Sequence, residues 1–153
     1  MGYRDAVQRV ERTTVLAAPA DELFAFISAL ENLPSWQSGI VSVRRTSGSP
    51  MVVGSTATVV RELMGQRFEA PLRVAAYDPP RHLAVEGSVS GVKAVATLDL
   101  NPTDGETRLT FSMEIRASGF AALMEGMIAE AATKDVEASL ERLRRRFAAP
   151  PAA

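Results

Sequence analysis

The stretch from Gly119 to Phe147 reads GFAALMEGMIAEAATKDVEASLERLRRRF and predicts one long amphipathic helix. The apolar face of its first half consists of Phe120, Leu123, Met124, Met127, Ile128 and Ala131. Small residues at Gly126, Ala129 and Ala132 leave little bulk around that face. A lone helix after a run of strands must lie against the sheet that the strands form. The small residues favour a helix that covers a hollow.

The chain before this helix alternates short strand patterns with turn signals such as Asp78-Pro79-Pro80 and Asn101 to Gly105. The predicted strands lie near residues 7–17, 39–47, 55–64, 67–77, 82–90, 92–101 and 106–117. Connections this short leave no room for crossover helices, so consecutive strands are expected to pair as antiparallel hairpins. The pattern predicts a seven-stranded antiparallel sheet.

Two short helices are predicted between the first and second strands. Pro19 suits a first helical position, and the acidic residues Asp21 and Glu22 favour the positive end of the helix dipole. A second helical piece around Glu31 to Leu33 is expected to stop at Pro34. The fold class is therefore α+β: a curved antiparallel sheet wrapped around the C-terminal helix, in a single domain over residues 1–147, with a disordered tail at 148–153.

The alternation of side chains indicates which residues face inward. In the strand near 92–101 the even positions are apolar, while the odd ones include Lys93, Thr97 and Asp99. Small inward residues in mid-strand leave space that a filled core would occupy. We expect a cavity between the sheet and the first half of the helix. Its predicted lining is Ala70, Leu72, Ala94, Ala96, Phe111 and Met113 from the sheet, with Phe120, Leu123, Met124, Met127 and Ile128 from the helix. The alternative is ordinary core packing of the same stripe.

Ionisable residues inside the cavity would be candidates for acid–base chemistry, and two strands leave their orientation open. Near 55–64, one of Arg61 and Glu62 must face inward. Near 82–90, the favoured register sends His82 outward, and the opposite one places a His/Glu/Ser row inside. Glu62, Arg61 and His82 are the catalytic candidates, and surface charge is the competing interpretation.

Two further positions remain open between a structural and a functional role. Trp36 either gates the cavity and stacks on a ligand or closes an edge of the core. Lys134 and Asp135 interrupt the apolar stripe of the helix, and they either lie in solvent at a bend or face one end of the cavity. Beyond them the stripe resumes at Val136 and predicts solid core.

Composition excludes several classes of function. The 153 residues contain no cysteine and one histidine, which argues against thiolate or histidine-cluster metal sites, and no cofactor is indicated. The chain has 17 Lys plus Arg against 18 Asp plus Glu, so no nucleic-acid partner is expected. The arginines near the C-terminus (Arg142 and residues 144–146) suit a solvated helix end. No segment is long and apolar enough to predict stable membrane insertion. The expected location is the cytoplasm. No signal indicates an oligomeric state.

Particular segments, in their order and spacing, resemble one superfamily. These segments are VLAAPADELF (15–24), LPSW (33–36), VGS (53–55), YDPPR (77–81) and GETRLT (105–110). Over roughly residues 7–147 the chain resembles the SRPBCC superfamily of START-like, birch-pollen-allergen-like helix-grip proteins. The resemblance implies a sheet gripping the long helix around a cavity for lipids, sterols, polyketides or other apolar molecules.

Three functions follow as hypotheses. The first is binding of an apolar or amphipathic small molecule in the cavity. The second is an enzyme similar to the polyketide cyclases and dehydrases of the same superfamily, using Glu62 or His82 for proton transfer. The third is a protein-interaction module with a filled core, which predicts no cavity.

Overall fold

The computed structural model describes residues 6–48, 51–63, 65–89 and 91–148. The strands are β1 (Ala6–Leu16), β2 (Ile40–Arg45), β3 (Thr56–Leu63), β4 (Gln66–Asp78), β5 (His82–Val89), β6 (Val92–Thr103) and β7 (Glu106–Ala117). The helices are α1 (Ala20–Ser28), α2 (Leu33–Trp36) and α3 (Glu125–Arg146), with single 3-10 helices at Leu30–Asn32 and Gly119–Met124. The predicted tail lies, apart from Ala148, outside the described residues.

Within the described residues the seven strands form one open antiparallel sheet in the order β1-β7-β6-β5-β4-β3-β2. The strands from β2 to β7 pair with their sequence neighbours, as the short connections predict. The strand β1 lies beside β7, in a register that joins Ala6 to Ala117 and Leu16 to Thr107. The predicted fold class is confirmed, with two short helices after the first strand and a long helix at the C-terminus.

The helical segment after β1 differs from the prediction at Pro34. The piece at Leu30–Asn32 is a 3-10 helix, and α2 then begins at Leu33 with Pro34 inside its first turn. Proline is tolerated there because its missing N–H has no helical partner at that position. Pro34 therefore starts a helix that the sequence interpretation ended, and this turn carries Trp36 into the core.

The C-terminal helix is also divided differently from the prediction. Residues Gly119–Met124 form a 3-10 helix without a buried residue, and the α-helix begins only at Glu125. Its second half is solid core as predicted, with Val136, Leu140 and Leu143 buried. The helix α3 packs mainly against β1 and β7 and contacts α2. The helix therefore comes closest to the sheet at the β1–β7 edge.

Two further features are absent from the described residues: a membrane-spanning helix and a metal-binding cluster. No described helix combines the length and hydropathy that crossing a membrane requires. Within the same residues, His, Cys, Asp and Glu side chains form no group of three that could hold a metal ion.

Candidate ligand-binding cavity

A cavity of about 110 Å³ lies against β3 to β6 and opens to solvent. The segment from α1 to the start of β2 closes one end. Most of the lining is apolar: Ile27, Leu30, Leu33, Trp36, Ile40, Val59, Phe68, Ala70, Leu72, Leu83, Val85, Val89, Val92, Ala94, Ala96, Leu98 and Met113. The polar side chains in the lining belong to Gln37, Arg61 and Ser88. Such a surface suits an apolar molecule with few polar groups.

The hollow exists because small residues meet across neighbouring strands. Gly87 on β5 pairs with Ala94 on β6 and with Leu72 on β4, and Ala96 follows two residues after Ala94 on the same face. A Cβ atom on Gly87 would lie 2.9 Å from a methyl group of Leu72. Gly87 thus lets Leu72 lie close against β5, while the missing side-chain volume at Ala94 and Ala96 leaves the sheet surface open, as these small residues in the sequence predict.

Five of the six sheet residues predicted to line the cavity do so. These are Ala70, Leu72, Ala94, Ala96 and Met113. Phe111 is instead fully buried behind the cavity, where its ring packs edge-to-face on Trp36 with 5.9 Å between centroids. Phe111 therefore belongs to the core.

The helix residues predicted to line the cavity are not part of the lining. Phe120 is 79% exposed, Leu123 80% and Met127 57%, while Ile128 is buried in the core and Met124 packs partly against it. The 3-10 helix has three residues per turn, so Phe120 and Leu123 lie one above the other on an outward face. Helix α3 then packs mainly along β1 and β7, and none of its residues is in the described lining.

Trp36 is a core residue that also borders the cavity. Its side chain is buried in the core and also forms part of the cavity wall. Its indole N–H finds no hydrogen-bond partner among the described residues. The ring therefore acts as a rigid wall and not as an exposed gate.

The structure decides the orientation of the catalytic candidates. Arg61 faces the cavity, whereas Glu62 is exposed and accepts a hydrogen bond from Arg67 at 3.0 Å. His82 is outside the cavity lining, with its Nδ1 atom 2.6 Å from Oδ1 of Asp99. Glu86 binds Arg73, so the alternative His/Glu/Ser row inside the cavity does not form. Neither Glu62 nor His82 is placed to act on a molecule in the cavity.

Arg61 forms an ion pair with Asp135, which helix α3 presents. Nη2 of Arg61 donates to Oδ2 of Asp135 at 3.3 Å, and the side chains are 20% and 17% exposed. Burial lowers the pKa of Arg61 despite the nearby carboxylate. Burial also raises the pKa of Asp135, and this effect exceeds the opposite one of Arg61 and Arg142. For both partners, desolvation outweighs the attraction between them.

Of the two polar residues that interrupt the apolar stripe of the helix, one is exposed and the other points inward. Lys134 is exposed and pairs with Glu130, while Asp135 reaches the residue that lines the cavity end. The carboxylate fits because Gly39 lies beside it: a Cβ atom on Gly39 would approach Oδ2 of Asp135 to 2.9 Å. The sequence signal for Asp135 is the polar pair Lys134 and Asp135, which interrupts the apolar stripe of the helix.

The segment before β2 completes this end of the cavity. Ser139 on α3 accepts a hydrogen bond from the backbone N–H of Ser38, which ties the segment to the helix. Ile40 then pairs with Arg61 across β2 and β3, and Gln37 is a buried member of the cavity lining. No pattern in the sequence indicated Gln37. We call Gln37, Gly39, Arg61 and Asp135 the polar corner.

Together, the sheet, the long helix and the apolar cavity define a helix-grip protein with an internal site for a small molecule. The chain belongs to the family described as polyketide cyclase/dehydrase and lipid transport, whose model matches residues 7–148. The superfamily resemblance is therefore confirmed.

Similar proteins share the fold over most of the chain. Uncharacterized proteins of two Mycobacterium tuberculosis strains are 28% identical over 136 residues, covering 87% of this chain and 94% of theirs. A START superfamily protein from Mycobacterium smegmatis superposes with a TM-score of 0.73 at 18% identity, covering 91% of this chain and 96% of that one. The di-domain aromatase/cyclase BexL of the BE-7585A biosynthetic pathway gives a TM-score of 0.75 at 13% identity. It aligns with 95% of this chain, which spans about half (51%) of BexL.

Proposed function

We propose that the protein binds an apolar or amphipathic small molecule, of a lipid, sterol or polyketide-like kind, in the cavity along β3 to β6. The observation that carries the proposal is the apolar hollow bordered by the small inward residues Ala94 and Ala96. Membership in a family that includes lipid transport proteins supports the same function.

The size of the cavity indicates how such a molecule binds. A volume of about 110 Å³ holds roughly one ring, so a larger ligand extends through the opening to solvent. Burial of about 200 Å² of apolar ligand surface contributes on the order of 5 kcal/mol before the cost of association. Binding of a one-ring ligand is therefore weak, and longer ligands gain affinity from the rim.

Native mass spectrometry of the protein purified from cells tests this function. The expected result is a mass above that of the bare chain, with an apolar molecule recovered by solvent extraction. In parallel, a neutral dye such as N-phenylnaphthylamine should show saturable fluorescence that apolar competitors reduce. An empty protein that also fails to take up the dye contradicts the proposal.

A second candidate function is cyclisation of a polyketide-like chain. The observation in its favour is that an ionisable pair with perturbed pKa values lies at the wall of the cavity. Arg61 would then stabilise a developing enolate oxygen, whereas Glu62 and His82 are not among the lining residues. Product formation that survives removal of the Arg61 guanidinium rejects this role. The interaction module, which requires a filled core, has no comparable support.

A further inference from the structure

We propose that the bound molecule is electrically neutral and places a hydrogen-bond-accepting oxygen, such as that of a ketone, aldehyde or ester, at the polar corner, while a free carboxylate is rejected there. This inference rests on the proposed function and specifies its ligand class. It follows from the donors that the corner offers and from the charge that it already holds.

The polar corner offers hydrogen-bond donors to a ligand. Among the described lining residues, Arg61 alone has an ionisable side chain. Its guanidinium donates one hydrogen bond within the described structure, to Asp135, although the group carries five N–H donors. The side-chain amide of Gln37 makes no hydrogen bond to a described residue. A ligand oxygen near Arg61 and Gln37 would satisfy donors that the protein leaves unused.

The polar corner already holds one positive and one negative charge, on Arg61 and Asp135. The Asp135 carboxylate offsets the charge of Arg61. Arg142, the other cation near Asp135, is exposed and lies outside the cavity lining, so the described lining offers an anion no uncompensated cation. A carboxylate ligand would bring a second negative charge next to Asp135 in a largely apolar cavity, where the repulsion and the lost hydration both oppose binding. A carbonyl oxygen accepts the same hydrogen bonds without adding a charge. The corner therefore discriminates by charge as well as by hydrogen bonding.

The ion pair of Arg61 and Asp135 is costly to bury. Burial outweighs attraction for both partners, so the pair is a poor stabiliser of the fold. The positive φ of 92° at Gly39 and the space left by its missing side chain also admit the carboxylate to this position. A costly pair held at the wall of a binding cavity is explained by what it does to the ligand.

Three one-ring compounds of nearly equal shape test this inference: acetophenone, benzoate and isopropylbenzene. They differ in having a neutral acceptor, a negative charge or no polar atom. Their affinities are measured by displacement of N-phenylnaphthylamine at about pH 8, where benzoate is ionised. For the wild type we expect acetophenone to bind at least tenfold more tightly than benzoate and severalfold more tightly than isopropylbenzene.

Variants of the polar corner provide the second measurement. Asp135→Asn leaves the Arg61 charge without its partner, so benzoate should bind as tightly as acetophenone or more tightly. The double variant Arg61→Met with Asp135→Asn leaves no charge unpaired, and its preference for acetophenone over isopropylbenzene should shrink. Glu62→Gln is the control, since this exposed carboxylate one residue along β3 binds Arg67, and the wild-type ratios should persist.

The outcomes separate this inference from the proposed function. Benzoate that binds the wild type as tightly as acetophenone overturns the inference, as does isopropylbenzene that equals acetophenone, while both leave an apolar binding cavity intact. Failure of all three compounds and of the dye to bind rejects the proposed function and the inference with it. Should Asp135→Asn not fold, the wild-type ratios alone decide.

Discussion

A Cβ atom on Gly39 would lie 2.9 Å from Oδ2 of Asp135, so the backbone before β2 and the carboxylate on α3 approach as closely as a glycine permits. This contact joins the segment that closes the cavity to the helix that supplies the charge.

Gly39→Ala should therefore destabilise the protein through two effects. The positive φ of Gly39 costs an alanine about 1–2 kcal/mol, and the new methyl group displaces Asp135 from Arg61. Gly54→Ala is a matched control, because Gly54 has a similar φ of 94° and no atom within 4 Å of its Cβ position. In urea denaturation we expect Gly39→Ala to cost about 1 kcal/mol more than Gly54→Ala. Equal losses would mean that the contact with Asp135 costs nothing.

The raised pKa of Asp135 predicts a pH dependence of stability. Between the usual value of 3.8 and the raised value in the folded state, the folded protein binds a proton at Asp135 that the unfolded chain does not. As pH falls through this window, the wild type should gain stability relative to Asp135→Asn, and above it the difference should be constant. The facing charges are Arg61 and Arg142, which both oppose the shift. Urea denaturation of the two proteins at a series of pH values measures it, and the opposite slope would contradict the direction of the shift.

Filling the hollow should abolish ligand binding without unfolding the protein. Ala96→Trp places an indole in the space between Val85 and Met113, its cross-strand partners. Val95→Trp, at the next position and on the other face of the sheet, is the control. We expect dye binding to be lost in the first variant and retained in the second, with both folded by circular dichroism. A folded Ala96→Trp protein of unchanged affinity would show that the cavity is not the binding site.

The outward positions of Glu62 and His82 predict that neither affects the ligand. Glu62→Gln and His82→Ala remove surface pairs with Arg67 and Asp99, and such pairs contribute about 0–1 kcal/mol. Dye affinity should remain within about twofold of wild type. Loss of a hydrogen bond between either side chain and the ligand would lower the affinity by more than that. A loss of tenfold or more in either variant would return that residue to the list of site candidates.

Two leucines in the C-terminal region should respond very differently to truncation. Leu140→Ala removes a buried side chain and should cost about 2–5 kcal/mol of unfolding free energy. Leu123→Ala changes a side chain that is four-fifths exposed, so a change within about 0.5 kcal/mol is expected. Thermal or urea denaturation compares them. A large loss at Leu123 would mean that the 3-10 helix packs on the body in solution.

The sheet was predictable because its signals are local. Turn residues separate the strands, and the alternation in β6 and β7 assigns one face to the core, as Leu98 and Phe111 confirm. The small residues Ala94 and Ala96 likewise predict the hollow from the sequence alone, and both line the cavity.

Other features depend on packing that a sequence pattern does not contain. In β3, apolar residues occupy both faces, so alternation alone could not choose between Arg61 and Glu62. The apolar stripe of the C-terminal region showed that the helix packs, but its position along β1 and β7 depends on the whole sheet. For the same reason Phe120 and Leu123 were assigned to a cavity that they do not reach.

The pairing of β1 with β7 has a consequence for how the chain reaches this structure. The Thr107 hydroxyl donates to the carbonyl of Ala18, 89 residues earlier, and the strand that ends at Leu16 finds its partner only at the last strand. During synthesis β1 must wait, unpaired, until nearly all of the sheet has emerged from the ribosome. High contact order of this kind slows folding, and the waiting strand edges expose the nascent chain to aggregation. Expression yield should therefore respond more strongly to chaperone supply than to small changes in native stability.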